Sequence, residues 1–290
     1  MTRLRIDLHA HTTVSDGTDD PAGLVAAAAA AGVDVLGLTD HDNTGGWDAA
    51  AAALPPGMRL VRGAEFSCVS HTGRDERPVS VHLLGYLFDP DHAAIVAEQV
   101  RLRREREHRL HRMIERMAAD GYPVDAETVF AYLPEGASGG RPHLARALVA
   151  AGVVGSVNEA FATLLHNGSP YYLPRSDTPV ATAIAMVRAA GGVAVFAHPL
   201  ARRRGRVVEP DGLAELVTVG LGGVEVDHPD HSAQDRALLR GLAGDLGLIV
   251  TGSSDYHGTN KTTQLAAETT DPRAFEELVA RATGVEVLAG

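Results

Sequence analysis

Residues 3–11, Arg3-Leu4-Arg5-Ile6-Asp7-Leu8-His9-Ala10-His11, read as a β-strand, and the elements after this strand decide the fold. Residues 21–32 carry an alanine-rich helical pattern that begins on Pro21 and closes on Gly32. The run 26–31 is all alanine, the best helix former, and is read as an ordinary barrel helix. A strand at 33–39, a helix at 45–53 and strands at 59–65 and 79–88 come next. After a break the alternation resumes with a helix at 178–190, a strand at 192–197, a helix at 211–216 and a strand at 223–226. A helix at 232–246, a strand at 248–251, a helix at 272–283 and a last short strand at 285–288 complete it. Strands alternating with helices predict an α/β fold built on a parallel sheet or barrel.

The break is informative in its own right. From about Pro90 to Gly168 the pattern is helical only, with a long charged helix at 93–121 and shorter ones at 123–133, 142–152 and 157–167, each bounded by Gly, Pro or Asn. The expected organisation is a barrel from 1–90 and 170–290, interrupted by a helical insertion at 91–169. No internal repeat is evident.

Composition narrows the class. The formal charge of −11 over 290 residues argues against non-specific binding to nucleic acid or a membrane surface. An acidic chain can still take a phosphorylated substrate where bound cations invert the local field. The only cysteine, Cys68, excludes an internal disulfide and a thiolate zinc cluster, and it reads as inert packing. Residues 1–5 run directly into the strand holding His9, so no signal peptide is expected, and the apolar run 23–33 is too short to span a bilayer. These features suit a cytoplasmic protein with no membrane partner.

The chemistry lies at the strand ends. Side chains two apart on a strand face the same way, so His9 and His11 project together while Leu8 and Ala10 face away. Asp255 and His257 form a second such pair. Between them His41 follows the run 35–38, Glu65 ends 60–64, His198 ends 193–197, and His82 alternates against Val81 and Leu83; Asp16 lies just beyond the first strand. In a parallel barrel all carboxyl ends lie on one rim, where distant residues converge. Six imidazoles and three carboxylates there point to a polynuclear metal centre and a hydrolase. Such a donor set suits Mn²⁺, Fe²⁺ or Zn²⁺.

The segments His9-Ala10-His11, Ser15-Asp16-Gly17, Thr39-Asp40-His41-Asp42, Gly63-Ala64-Glu65, His82, Ala197-His198-Pro199 and Ser254-Asp255-Tyr256-His257 resemble, in order, the motifs of the PHP (polymerase and histidinol phosphatase) family. The resemblance implies a distorted seven-stranded β/α barrel holding two or three divalent ions, Mn²⁺ first among them. It implies His9, His11, Asp16, His41, Glu65, His82, His198, Asp255 and His257 as ligands, with Glu65 bridging two ions and Asp255 orienting the attacking water. Gly140-Arg141-Pro142-His143-Leu144-Ala145-Arg146 resembles a segment of the nucleoside 3′,5′-bisphosphate phosphatase subgroup, whose insertion forms a lid over the barrel mouth.

Several residues are candidates for phosphate binding. Arg141-Pro142 sits where a helix should begin, and a helix N-terminus favours anions; Arg141 would clamp phosphate and His143 would donate to it. Arg202 and Arg203 open an arginine run directly after His198, and His228 and His231 come just after the strand at 223–226. The seven arginines between 101 and 116 alternate with Glu105, Glu107 and Glu115, which reads as a solvent-exposed helix face. His71, His92, His108, His111 and His166 are expected on surface helices and loops.

The expected activity is hydrolysis of the 3′-phosphate of a nucleoside 3′,5′-bisphosphate such as adenosine 3′,5′-bisphosphate, with Asp255, His198 and Glu65 as catalytic groups. Bound ions would activate water, and a protonated histidine would assist the leaving 3′-oxygen. The substrate partner is a small nucleotide, with short RNA as the extension of that class and no stable DNA partner. A 5′→3′ exoribonuclease with the same ions is the close competitor. Histidinol-phosphate phosphatase fits the insertion less well. A non-catalytic metal- or nucleotide-binding module would have been favoured by a missing ligand, and none is missing.

Overall fold

The computed structural model describes residues 4–72, 78–131 and 133–290; Arg3 and Tyr132, at the edge of one expected element and inside another, lie outside them. Strands β1 (Ile6–Ala10), β2 (Val35–Leu38), β3 (Arg59–Ser70), β4 (Val79–Tyr86), β6 (Val193–Phe196), β7 (Gly223–Asp227) and β8 (Ile249–Gly252) form one continuous sheet in that order. Short strands β5 (Thr178–Pro179) and β9 (Leu288–Ala289) pair with β3. Ala10 bridges Tyr256 just beyond β8, and His11 N donates to Tyr256 O at 2.9 Å, so the two sheet ends meet. The result is the distorted seven-stranded β/α barrel.

Outside the sheet lie α1 (Pro21–Ala30), α2 (Trp47–Ala52), α7 (Val180–Ala189), α8 (Pro210–Thr218), α9 (Ala233–Leu246) and α10 (Pro272–Arg281). Helix starts obey local chemistry: Asp20, Ser232 and Asp271 each accept a backbone N–H of the first turn. One apolar cluster packs Leu36, Leu60, Leu83 and Phe196 against Leu24, Ile184 and Leu213 of the helices. A second gathers Ile6, Val35, Val61, Leu84, Val195 and Ile249 around the inner face of the sheet, with Phe275 and Leu278 of α10 against it.

The expected all-parallel order fails at β4 and at the short β9, which pairs antiparallel with β3. β4 runs antiparallel to β3 and to β6. Only residues 71–78 separate β3 from β4, and a parallel crossover needs about a dozen or more. β3 also runs on past Glu65 to Ser70, so Glu65 is in mid-strand and not at a strand end. The first strand departs from strict alternation too. The β1–β2 register shifts between Asp7 and Ala10, so Leu8 joins the inner cluster and Ala10 the helix-side cluster.

Between β4 and β5 the chain is helical: α3 (Ala93–Ala119), α4 (Ala126–Phe130), α5 (Arg141–Ala150) and α6 (Val157–Thr163). These helices share a third cluster that includes Leu110, Met113, Met117, Leu144, Leu148 and Leu165. Ser138 N donates to Val14 O at 2.8 Å and Asn43 Nδ2 to Gly136 O at 2.9 Å, which fastens the α4–α5 connection to the barrel rim.

Candidate metal centre

Five imidazoles surround the carboxylate of Glu65. Its Oε2 lies 3.1 Å from His41 Nδ1 and 3.2 Å from both His9 Nε2 and His11 Nε2. Its Oε1 lies 2.7 Å from His82 Nδ1 and 2.9 Å from His198 Nε2. The rings close a circuit, with centroid separations of 5.0 Å for His9–His11, 4.7 Å for His11–His41, 4.9 Å for His41–His82, 5.4 Å for His82–His198 and 5.9 Å for His198–His9. Asp16 Oδ1 faces His257 Nε2 at 3.3 Å, and Asp255 Oδ1 faces His11 Nε2 and His257 Nδ1, each at 3.4 Å. All nine residues proposed from the strand ends therefore meet in one cluster. His82 reaches it from the middle of antiparallel β4, and Asp255 and His257 from the loop beyond β8.

Local sequence explains how the loops deliver these groups. Gly17 closes the turn that folds Asp16 back over His11; a Cβ there would stand 2.5 Å from His11 O. Asp40 ties the same loop by accepting from Thr12 N at 2.8 Å and Ser15 Oγ at 2.6 Å. Five non-glycine residues among those described have left-handed backbone, and Asp42, His198 and Asp255 are three of them. Such conformations are costly and persist where packing holds them, commonly at functional sites.

The electrostatics suit cations. Burial alone would raise Glu65, but His82, His41 and His9 outweigh it and hold the carboxyl well below the usual carboxylate range. Asp16 and Asp255 are likewise held low against burial, Asp16 by His41 and His257 and Asp255 by Lys261 and Arg204. Burial and Arg204 push His198 down to about 3, and burial and Lys261 push His257 down to about 4, which leaves both rings in the neutral, ligating form. Burial would lower His11 as well, but hydrogen bonds to Asp255 and Glu65 raise it to about 9, so its proton is one a cation would displace.

Several buried lone pairs go unanswered by the protein. Asp16 Oδ1, His41 Nδ1 and His82 Nδ1 make these close polar approaches without hydrogen-bond geometry. Each such group costs about 1–3 kcal/mol when left unpaired. The donor set fits divalent ions: His11, Asp16, His41 and His257 offer atoms within 4.8 Å of one another, as do His9, His11 and Asp255, and His41, Glu65 and His82. Partners behind the rings fix their faces. Glu225 Oε1 lies 3.1 Å from His9 Nδ1, Ser15 Oγ 3.3 Å from His11 Nδ1, and Asp255 O 2.8 Å from His257 Nδ1.

A cationic side adjoins the cluster at Asp255. Its Oδ2 accepts from Arg204 Nη2 at 2.6 Å and from Lys261 Nζ at 2.7 Å, and His228 Nε2 lies 3.3 Å away. Of the arginine run, then, Arg204 reaches the site. Arg202 and Arg203 do not: both are exposed, and Arg202 pairs with Asp235 at 3.5 Å, because the short 3₁₀ turn at Arg202–Arg204 points successive side chains apart. His231 is also corrected. Its Nε2 accepts from Leu200 N at 3.2 Å and its Nδ1 donates to Val226 O at 2.8 Å, so both nitrogens serve the backbone and none is free for substrate.

Arg141 and His143 open α5, as expected. Arg141 Nη1 donates to Leu165 O at 2.8 Å and Asn167 Oδ1 at 2.9 Å, and its guanidinium lies over Phe161 and Tyr172. His143 is buried; its Nδ1 accepts from Gly140 N at 3.2 Å while Nε2 has no partner. Burial and Arg146 lower its pKa to about 4. The exposed-face reading of the arginines in α3 fails at Arg106, which is buried against Asp42 and donates to Ser67 Oγ at 2.6 Å.

Sequence reasoning passed over Glu225 and Lys261, and read Arg204 and Arg106 only as members of arginine runs. Glu225 had a signal, a carboxylate inside the apolar run Val224-Glu225-Val226. For Arg204 and Arg106 the arginine runs could not show which member is taken inward, since each gains its partner from a segment more than fifty residues away, whereas Lys261 meets Asp255 six residues before it.

A search of protein families matches the PHP domain over residues 7–131. The chain is 34% identical over 255 residues to a 3′,5′-nucleoside bisphosphate phosphatase of Chromobacterium violaceum, covering 87% of each protein. It belongs to the PHP domain family. It is also 33% identical to a phosphoribosyl 1,2-cyclic phosphate 1,2-diphosphodiesterase of Eggerthella lenta (87% of this chain, 94% of that one) and 32% identical to a 5′-3′ exoribonuclease of Haemophilus influenzae (87% and 90%). A solved structure of a metal-dependent phosphoesterase candidate from Bifidobacterium adolescentis superposes with a TM-score of 0.88 at 36% identity, over 96% of both chains. With its cluster of donors, this PHP-family chain is a metal-dependent phosphoesterase. No helix among the described residues is long and apolar enough to cross a membrane.

Proposed function

We propose that this PHP-family phosphoesterase removes the 3′-phosphate of nucleoside 3′,5′-bisphosphates, leaving the 5′-monophosphate, in the cytoplasm. The observation that carries the reading is the division of labour at Asp255, whose Oδ1 faces the imidazole cluster and whose Oδ2 faces Arg204, Lys261 and His228. A phosphoryl group placed between those two sides would meet the metal ligands on one face and fixed cationic donors on the other. His9, His11, Asp16, His41, Glu65, His82, His198, Asp255 and His257 would hold two or three divalent ions, Mn²⁺ by preference, with Glu65 bridging. Bound ions of this kind supply Lewis-acid polarisation and lower the pKa of water.

The chain's own residues do the rest. Asp255, held ionised by Lys261 and Arg204, orients the water and can accept its proton. Arg204 and Lys261 stabilise charge on the phosphoryl oxygens, and His228 stands where a proton can be passed to the leaving oxygen. From α5, Arg141 and the free Nε2 of His143 are the candidates for holding the remainder of the substrate. The 34% identical bisphosphate phosphatase supports the substrate class.

A second reading, 5′→3′ exoribonuclease activity, is favoured by a groove of about 390 Å³ on the insertion, lined by Arg103, Arg104, Phe130, Leu133 and Gly136. Arg103 Nη1 donates to Asp42 O at 3.2 Å, so the groove meets the metal rim. Aromatic and arginine surfaces of this kind suit a nucleic-acid strand. The test is phosphate release by Mn²⁺-loaded protein from adenosine 3′,5′-bisphosphate, 3′-AMP, 5′-AMP and a short RNA. Folded, loaded protein that released nothing from the bisphosphate would sink the first reading. Purified protein with near-zero metal by elemental analysis would favour a non-catalytic module.

A further inference from the structure

The chain carries 25 arginines and one lysine, so almost every need for positive charge is met by a guanidinium. The one lysine, Lys261, stands at the candidate metal centre with its ammonium on Asp255, 2.7 Å from Oδ2 and 3.4 Å from the backbone carbonyl. The two side chains are not interchangeable there. A guanidinium is a planar fork that grips a carboxylate bidentately, whereas an ammonium is a compact point charge on a rotatable stem.

Asp255 Oδ2 is crowded with donors. Arg204 Nη2 donates to it at 2.6 Å, Lys261 Nζ at 2.7 Å, and His228 Nε2 stands 3.3 Å away, although one carboxylate oxygen has only two lone pairs. Asp230 ties two of the three down from behind. Its Oδ2 accepts from Arg204 Nε at 2.7 Å, and its backbone N–H donates to His228 Nδ1 at 3.0 Å, which puts the proton of the neutral ring on Nε2. Lys261 has no second anchor. Among the described residues its ammonium bonds to Asp255 alone, and its side chain is 32% exposed. The stem nevertheless starts from a fixed place, since Asn260 Nδ2 donates to Asp16 O at 2.6 Å and Thr259 N to Thr18 Oγ1 at 2.9 Å. Lys261 is therefore the donor that can leave Asp255 for a substrate oxygen at the least cost.

We infer that Lys261 is a specificity-determining residue, which moves from Asp255 onto an unesterified oxygen of a terminal phosphate and makes the site prefer phosphate monoesters to phosphodiesters. The inference rests on the proposed function, which places the reacting phosphoryl group beside Asp255. A monoester has three unesterified oxygens and carries about −1.5 to −2 charges near neutral pH. A diester keeps two such oxygens and a single charge. With Arg204 and His228 held in place, Lys261 supplies the cation for the third oxygen. In a diester that position belongs to a neutral ester group, against which an ammonium gains nothing. The same discrimination separates the 3′-phosphate of a bisphosphate from the internal linkages of RNA, so Lys261 favours the first of the two readings of this site.

The test uses the full Mn²⁺-loaded chain as wild type and as Lys261→Met, with melting temperature and metal content recorded for each. The first readout is kcat/KM for p-nitrophenyl phosphate and for bis(p-nitrophenyl) phosphate, which share a leaving group and differ in the number of ester bonds. The second is calorimetric affinity for inorganic phosphate and for dimethyl phosphate. Loss of a hydrogen bond between charged groups predicts that Lys261→Met lowers the monoester-to-diester ratio of kcat/KM by about tenfold to a hundredfold, with the diester value nearly level. Affinity for inorganic phosphate should fall by a similar factor while that for dimethyl phosphate stays level. Equal losses on both esters would overturn the assignment, because Lys261 would then act only by holding Asp255. Unchanged rates on both esters would overturn it as well. Loaded wild type that hydrolyses neither adenosine 3′,5′-bisphosphate nor p-nitrophenyl phosphate, while phosphate binding still depends on Lys261, would overturn the phosphatase reading and uphold the role of Lys261. If Lys261→Met does not fold, Lys261→Gln carries the same comparisons.

Discussion

Arg106, in the middle of α3, donates its Nε–H to Asp42 Oδ2, one residue beyond His41, whose ring faces Glu65 in the donor cluster. The helical segment is thereby bonded to the rim of the donor cluster through an ion pair closed to solvent. Asp42 also accepts from Ser67 N at 2.7 Å and Ser67 Oγ at 2.8 Å, so β3 joins the same node.

Arg106→Met should leave Asp42 buried without its cation. Breaking a buried pair from one side costs about 3–5 kcal/mol, to be read from chemical denaturation at neutral pH. The sign with pH is set by Asp42, whose carboxyl lies below its ordinary 3.8: burial would raise it, but Arg106 and Arg175 outweigh that. Its stabilising contribution is present above the unfolded value and is lost as pH falls through the folded one. The gap between wild type and variant should therefore narrow in acid. A gap that is constant or widens below pH 4 would contradict the assignment.

Arg204→Ala removes a donor from Asp255 and from any phosphoryl group beside it. By comparison with other fixed donors to developing charge, kcat should fall by about 10²–10³. Arg202→Ala and Arg203→Ala, on exposed side chains, should change rates by no more than about a factor of two. Rates measured under one Mn²⁺ concentration would decide it, and equal effects of all three would show that only the loop's net charge matters.

Glu225→Gln keeps the shape behind His9 but removes the carboxylate that lies 3.1 Å from its Nδ1 and accepts from His198 N at 2.8 Å. Loss of such a partner costs about 10–100-fold in metal affinity. Competition with a chromogenic chelator measures this directly; an unaltered affinity would mean that His9 is oriented by packing alone.

Removing bound metal should destabilise the barrel more than the insertion, since none of the nine candidate ligands lies in α3–α6. At a metal concentration one hundred times the dissociation constant, the holo form gains about 2.7 kcal/mol. Melting temperature should rise with added Mn²⁺ and saturate, and hydrogen exchange should slow chiefly around β1, β3 and β8. Protection confined to the helices would place the metal elsewhere.

Much of this was legible in the linear chain. The alternating barrel elements and the all-helical break could be read from periodicity. Helix starts at Asp20, Ser232 and Asp271 come from capping chemistry acting within three residues. The strand-end histidines and carboxylates could be named because their spacing and residue types carry chemistry wherever the backbone places them. Strand direction at β4 was recoverable in principle, since residues 71–78 are too few for a parallel crossover.

What the sequence by itself determined is the set of groups able to bind metal and the order of elements bringing them to one rim. Only the tertiary structure decided which cations serve that rim. Arg204 and not Arg202 faces Asp255, Arg106 is buried and not exposed, and both nitrogens of His231 are spent on backbone. The physical reason is range. Strand and helix periodicity is set by neighbours a few residues away, whereas the burial and partner of a long charged side chain are set by segments tens to hundreds of residues distant, which meet only in the folded chain.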